Sequence, residues 1–173
     1  MRNTHILAAA AAFMAVSGCA STPYDNVAAG DMMPEDARTY AEMAAASDMF
    51  ELESSRLALT RAQDPALRQF AQMMIDDHSR TSQQLMAAAR TANISLTPSL
   101  MPMQRQMLDE LQQANGQAFD RLYRTQQIQA HEMAVALHGN YARSGNNPAL
   151  RGVAAAATPI VTQHLARIRA IVS

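Results

Sequence analysis

The stretch Arg61-Ala62-Gln63-Asp64-Pro65-Ala66-Leu67 decides the fold. A carboxylate followed by proline is the chemistry of a helix start. The Asp side chain accepts from the first free backbone N–H groups, and proline at the first helical position removes a donor that had no partner. On the N-terminal side, Ala37 to Ala62 runs without Gly or Pro, with Met43, Phe50 and Leu57 seven apart on one stripe. On the C-terminal side, Leu67, Phe70, Ala71, Met74, His78, Ser82 and Leu85 recur at spacings of three and four until about Arg90. Two long helices joined by so short a turn fold back on each other, so helix one and helix two are predicted to be antiparallel.

The same signature recurs at Asn147-Pro148, after the break Ser144-Gly145-Asn146. Helix three is predicted from Gln117 to about Arg143, with Phe119, Leu122, Ala130, Met133 and Leu137 inward. Helix four is predicted from Ala149 to Val172, with Leu150, Val153, Ala157, Ile160, Val161, His164, Ile168 and Ile171 at helical spacing and Pro159 as a kink. Between the pairs, Asn93 to Pro102 carries two prolines and Ser-Thr chemistry. Met103 to Gln113 reads as a short helix ending at Asn115-Gly116. The expectation is an all-α fold: an up-down-up-down four-helix bundle with a short extra helix between helices two and three.

Outward from the bundle, the chain begins with Arg2 and His5, then the apolar run Ile6 to Val16, then Ser17-Gly18-Cys19. The run falls short of the ~20 residues that a membrane span requires and fits the apolar core of a signal peptide. Val16-Ser17-Gly18-Cys19 resembles the lipobox of lipoprotein signal peptidase, which predicts cleavage before Cys19 and a lipid on its thiol. As the sole cysteine, Cys19 has no disulfide partner within the chain, which fits that use. Ala20 in place of Asp favours the outer membrane by resemblance to known sorting rules. The expected organisation is a signal peptide over 1–18, a lipidated tether over 19–36 and a bundle domain over 37–173, held in the cell envelope through the lipid and facing the periplasm. All fourteen basic residues are Arg and are interspersed with fifteen acidic ones. With no basic face, nucleic-acid binding is disfavoured.

Glu51 and His78 lie symmetrically about the Asp64-Pro65 junction, and His131 and His164 about Asn147-Pro148. With ~1.5 Å of rise per residue, all four come to roughly one level of the bundle. One ligand-type residue per helix at one height is a metal-site arrangement, with neutral imidazoles and a carboxylate to offset the ion's charge. Asp77 and Asp120 are candidate outer supporters, and Glu53 competes with Glu51 for the inward position. The competing reading makes each histidine an ordinary buried polar link. Ile75 stands three residues before His78 and Val161 three before His164, so the Glu-x-x-His spacing of a carboxylate-rich di-iron centre is missing. Met101, Met103 and Met107 resemble soft copper(I) ligand patterns, although methionine is also the usual gap-filler of helical cores. His138 reads as a surface residue. No Gly-rich phosphate loop, Gly-x-Ser-x-Gly elbow or Cys-His pair occurs.

Several stretches together carry a family resemblance: Glu51-Leu52-Glu53 leading into Leu57-Ala58-Leu59, Phe70-Ala71-Gln72-Met73 leading into Asp76-Asp77-His78, Gly116-Gln117-Ala118-Phe119-Asp120 with Tyr123 and His131, and Pro159 with His164-Leu165. They resemble the domain of unknown function 4142 family of predicted outer-membrane, ferritin-like proteins. The resemblance implies a ferritin-like bundle in the envelope and carries over His78, His131 and His164 as family-typical positions, without an activity. Ser54-Ser55 and Thr158 depart from the family pattern and touch none of these residues. Two functional readings stand: an envelope lipoprotein that binds one transition metal ion (iron, zinc, copper or manganese) for metal handling or redox protection, and a metal-free structural or interaction module.

Overall fold

The computed structural model describes residues 33–172. The expected signal peptide, Cys19 and most of the tether lie outside them. Five helices follow in order: α1 (Ala37–Arg61), α2 (Pro65–Thr91), α3 (Pro102–Gln113), α4 (Gly116–Ser144) and α5 (Pro148–Ala170), with no strand among the described residues. No helix among them is long and apolar enough to cross a membrane.

The predicted starts rest on the expected caps. Asp64 accepts from the Ala66 N–H at 2.8 Å and Asn147 from the Leu150 N–H at 3.1 Å, each ahead of a first-turn proline. The end of α2 is a Schellman turn, in which Ile94 N–H returns to the Ala89 carbonyl (2.8 Å) and Asn93 N–H to that of Arg90 (3.0 Å). Asn93 takes the left-handed backbone (φ 58) that this turn requires. At the α4–α5 turn only glycine fits, since a β-carbon at Gly145 would lie 2.6 Å from the Tyr141 carbonyl oxygen.

Cross-helix contacts fix the direction of each rod. Tyr40 meets His138, Ser55 meets Tyr123, and the Gln63 and Asp64 N–H groups meet the Asp120 carboxylate, so α1 and α4 are antiparallel. Asp48 meets His78 across α1 and α2, Asp77 meets His164 and Met73 meets Arg167 across α2 and α5, and Arg124 meets Arg169 across α4 and α5. Each of these pairs is also antiparallel. It follows that α2 and α4 run the same way and the four long helices point up, down, down, up.

This corrects the up-down-up-down expectation, because the two tight turns sit at opposite ends of the molecule. The connection 92–115 travels the length of the helices instead of turning locally. It leaves the end where Ile94 packs with Tyr40, Leu137 and Leu150, and arrives beside Gln63. An extended stretch and the twelve-residue α3, roughly 18 Å long, give it that reach. On the way α3 packs on α1 and α4: the Met107 carbonyl accepts from Gln126 Nε2 at 3.0 Å and the Gln112 carbonyl from Arg61 at 2.6 Å.

The apolar interior is divided. One cluster, with Tyr40, Leu85, Leu137 and Leu150, fills one end; another, with Leu67, Phe70, Met74, Phe119 and Ile168, fills the other. Between them lies a buried polar layer containing Asp48, Glu51, Ser54, His78, Gln127, His131 and His164.

Candidate metal centre

The polar layer sits where the stripes of α1, α2, α4 and α5 face inward at mid-length. His78 is 2 % exposed, His131 0 % and His164 1 %, and one ring nitrogen from each lies within 4.8 Å of one from each of the others. Their ring centroids are 5.4 to 5.9 Å apart. The histidines meet although the tight turns lie at opposite ends, because residues near the middle of a rod are level whichever end the count begins from.

Each ring is oriented by an acceptor on its far side. His78 Nδ1 donates to Asp48 Oδ1 at 2.8 Å, His131 Nδ1 to the Gln127 carbonyl at 2.8 Å and His164 Nε2 to Asp77 Oδ2 at 2.9 Å. Carboxylate and carbonyl oxygens only accept here, so these bonds fix where each ring carries its proton. The remaining nitrogen of a neutral imidazole is then a lone pair. Those remaining atoms, His78 Nε2, His131 Nε2 and His164 Nδ1, are buried and have no hydrogen-bond partner among the described residues. With all three rings neutral, three lone pairs cannot satisfy one another, and leaving buried polar atoms unpaired costs about 1–3 kcal/mol each. A cation satisfies all three at once. The arrangement of imidazoles held by carboxylates and a carbonyl is the one that metal-binding histidines need, and the trio could hold a metal ion.

Glu51 is 1 % exposed and points inward, while Glu53 is only half-buried. Glu51 is not in the three-histidine set: its Oε1 is 3.7 Å from His131 Nδ1, the nitrogen already bonded to Gln127, and its Oε2 is buried without a partner. Asp77 supports a different ring from its sequence neighbour's, facing α5 and holding His164. Asp120 lies away from the site, accepting from Gln63 N–H (3.0 and 3.2 Å) and Asp64 N–H (2.9 Å) at the α1–α2 turn. Asp48, which sequence reasoning missed, is the main support of His78 and also accepts from Thr81 Oγ1 at 3.1 Å. His138, read as a surface residue, is 7 % exposed and its Nδ1 lies 3.0 Å from the Tyr40 hydroxyl. It belongs to a polar link beside the trio.

The electrostatics divide the histidines. Burial opposes charge on His78, but its bond to Asp48 and the carboxylates of Asp48, Glu51 and Asp77 outweigh it, so its pKa is raised. Burial, then the charge on His78, push His131 down to about 4 against the Gln127 bond. Burial lowers His164 to about 4 against the Asp77 bond, and lowers His138 to about 4 against the Asp48 charge. Burial also lifts Glu51 to about 7, with the opposing pull of His78 and Gln127 too small to cancel it.

A pH dependence of the metal-free chain follows. His131, His138 and His164 stay neutral when folded until about pH 4, but charge near 6.5 when unfolded, so their stabilisation is present above 6.5 and is lost as pH falls toward 4. Glu51 acts in the opposite sense, since the folded chain keeps a proton up to about pH 7 that the unfolded chain releases near 4.5. Near pH 5.5, unfolding then takes up about two protons net, and stability is expected to fall by roughly 3 kcal/mol per pH unit of acidification. Urea unfolding midpoints of the metal-free protein between pH 7 and 5 measure this. A flat profile would mean that the rings are not held neutral in the fold.

The family model described as Domain of unknown function (DUF4142) matches residues 22–171. No curated protein matches the sequence. Among solved structures the chain is similar to CopM in its Ag-bound form obtained by co-crystallization, at 19% identity and TM-score 0.64, over 78% of this chain and 93% of that one. It is similar to the Cu(I)-bound form at 20% identity and TM-score 0.64, over 76% and 91% of the two chains. The Cu(II)-bound form gives 20% identity and TM-score 0.62, over 79% and 95%. At this identity the likeness is one of fold.

Proposed function

The chain belongs to the DUF4142 family, and from that premise we propose that it is an envelope lipoprotein whose ferritin-like four-helix bundle binds one transition metal ion for metal handling or redox protection. The observation that carries this reading is the set of three buried, unpartnered imidazole nitrogens on three different helices, each ring oriented by its own acceptor. His78, His131 and His164 would hold the ion, and Glu51 beside them would supply negative charge. An imidazole set suits copper, zinc or iron, and the copper- and silver-bound forms of CopM support copper as the first candidate. The ion supplies Lewis-acid or redox chemistry when bound; the protein's own part is to fix the ring tautomers and keep water out.

Metal content of protein purified without a histidine tag tests the proposal. The expected result is near one equivalent per chain, lost on His78→Ala or His164→Ala. Wild-type protein without stoichiometric iron, copper, zinc or manganese, even after reconstitution, would leave the metal-free interaction module as the reading. The lipid anchor is tested separately: Cys19→Ser is expected to move the protein from the membrane fraction to the soluble one and to abolish acyl labelling. Unchanged fractionation would remove the anchor from the proposal.

A further inference from the structure

Met33, Met43, Met101, Met103, Met107 and Met133 line one cavity of about 120 Å³ between α1, α3 and α4, so six of the thirteen methionines share one space. They come from four separate parts of the chain: the residues before α1, α1 itself, the start of α3 and α4. A methionine that fills a core gap is enclosed by its neighbours. Here Met101 and Met103 are 37 % and 45 % exposed, and with Val172 they are the exposed large hydrophobics among the described residues. They line the cavity with part of their surface open to solvent.

We propose that this cavity is a second metal site, selective for a soft monovalent d¹⁰ ion, Cu(I) or Ag(I), bound by thioether sulfurs. Among the described residues no charged side chain lines it. Thioethers are neutral and polarisable, so they offer little to a hard divalent ion and much to a soft monovalent one. The polar residues of the lining do not change that balance. Gln104 already uses its Oε1 to accept from the Met101 N–H at 3.0 Å, and Ser47 offers a neutral hydroxyl. The site differs in chemistry from the histidine trio and shares no residue with it, although Ser47, Phe50 and Ala130 of the cavity directly precede Asp48, Glu51 and His131 on the same helices.

The test uses full-length chain carrying ¹³C-methyl methionine, titrated with Ag(I) as a redox-inert probe. The expected result is that a subset of methyl signals moves with Ag(I) and stays in place with Zn(II). In M101L/M103L/M107L those signals lose their response, the chain takes up one Ag(I) equivalent fewer, and the affinity of what binds there falls at least ~10-fold. Leu for Met conserves volume and keeps the packing, and the wild-type spectra answer the question even without the variant. His78→Ala is expected to keep the methionine response while losing metal at the trio, so failure at one site is read separately from failure at the other. Methionine signals that ignore Ag(I), or a triple variant with unchanged stoichiometry and affinity, would overturn the proposal.

Discussion

Saturating the metal-free chain with its ion is expected to raise the unfolding temperature by roughly 10–15 °C, and His131→Ala is expected to erase that rise. An ion that binds only the folded state adds ~4 kcal/mol when its free concentration is a thousand times Kd, which for a domain of this size corresponds to a shift of that order. The gain depends on removing an existing penalty. In the metal-free fold, His78 Nε2, His131 Nε2 and His164 Nδ1 are buried without partners, and the ion supplies a partner to all three. His131 is the informative position because it is wholly buried and its other nitrogen is bonded only to the Gln127 carbonyl of its own helix. Alanine there opens a cavity and lowers metal-free stability by a few kcal/mol, like other large-to-small changes, but breaks no hydrogen bond between helices. Thermal melts with and without metal separate the two effects. A His131→Ala variant that gained as much from the ion as the wild type would remove this histidine from the site.

Much of this was legible in the sequence where the determining chemistry is local. Asp64-Pro65 and Asn147-Pro148 announce helix starts because a side-chain acceptor and a proline act within one turn of themselves, and both caps form as read. The inward positions of His78 and His164 follow from spacings of three and four on apolar stripes, while His131, next to Ala130 of its stripe, was picked out by its level opposite His164. The direction of α4 was not legible, since nothing between residues 92 and 115 says whether the connection turns back or travels the length of the helices. That depends on α3 finding a seat on α1 and α4. Which ring Asp77 supports was not legible: neighbours on a helix point ~100° apart, so it serves α5 and not the histidine beside it. The burial of His138 was available in principle, as it lies two turns along the stripe of His131. Its partner Tyr40 is 98 residues distant in sequence and gave no signal. Asp48 sits in no motif; its place opposite His78 about the Asp64 turn was the one available hint.

Asp48 is accordingly the residue whose replacement best separates a metal site from a plain polar core. It is 6 % exposed and accepts from both His78 Nδ1 and Thr81 Oγ1. Asp48→Ala strands His78 Nδ1 in the interior, while Thr81 Oγ1 keeps the His78 carbonyl at 3.3 Å as an acceptor, and loss of one partner of a buried charged pair costs about 3–5 kcal/mol. Asp48→Asn is the sharper probe, because an amide oxygen still accepts one of those bonds while the negative charge is gone. Its stability cost is expected to stay near 1 kcal/mol, the scale of one altered hydrogen bond, yet its metal affinity is expected to fall ~10–100-fold, as for other groups that orient a ligating imidazole. The His78 pKa, raised chiefly by its bond to this carboxylate, is expected to drop in the same variant, which an imidazole NMR titration of the metal-free protein reads directly. If Asp48 served packing alone, Asp48→Asn would change stability and leave affinity where it was. The metal reading requires the reverse, a nearly intact fold whose imidazole has lost the basicity that let it hold an ion.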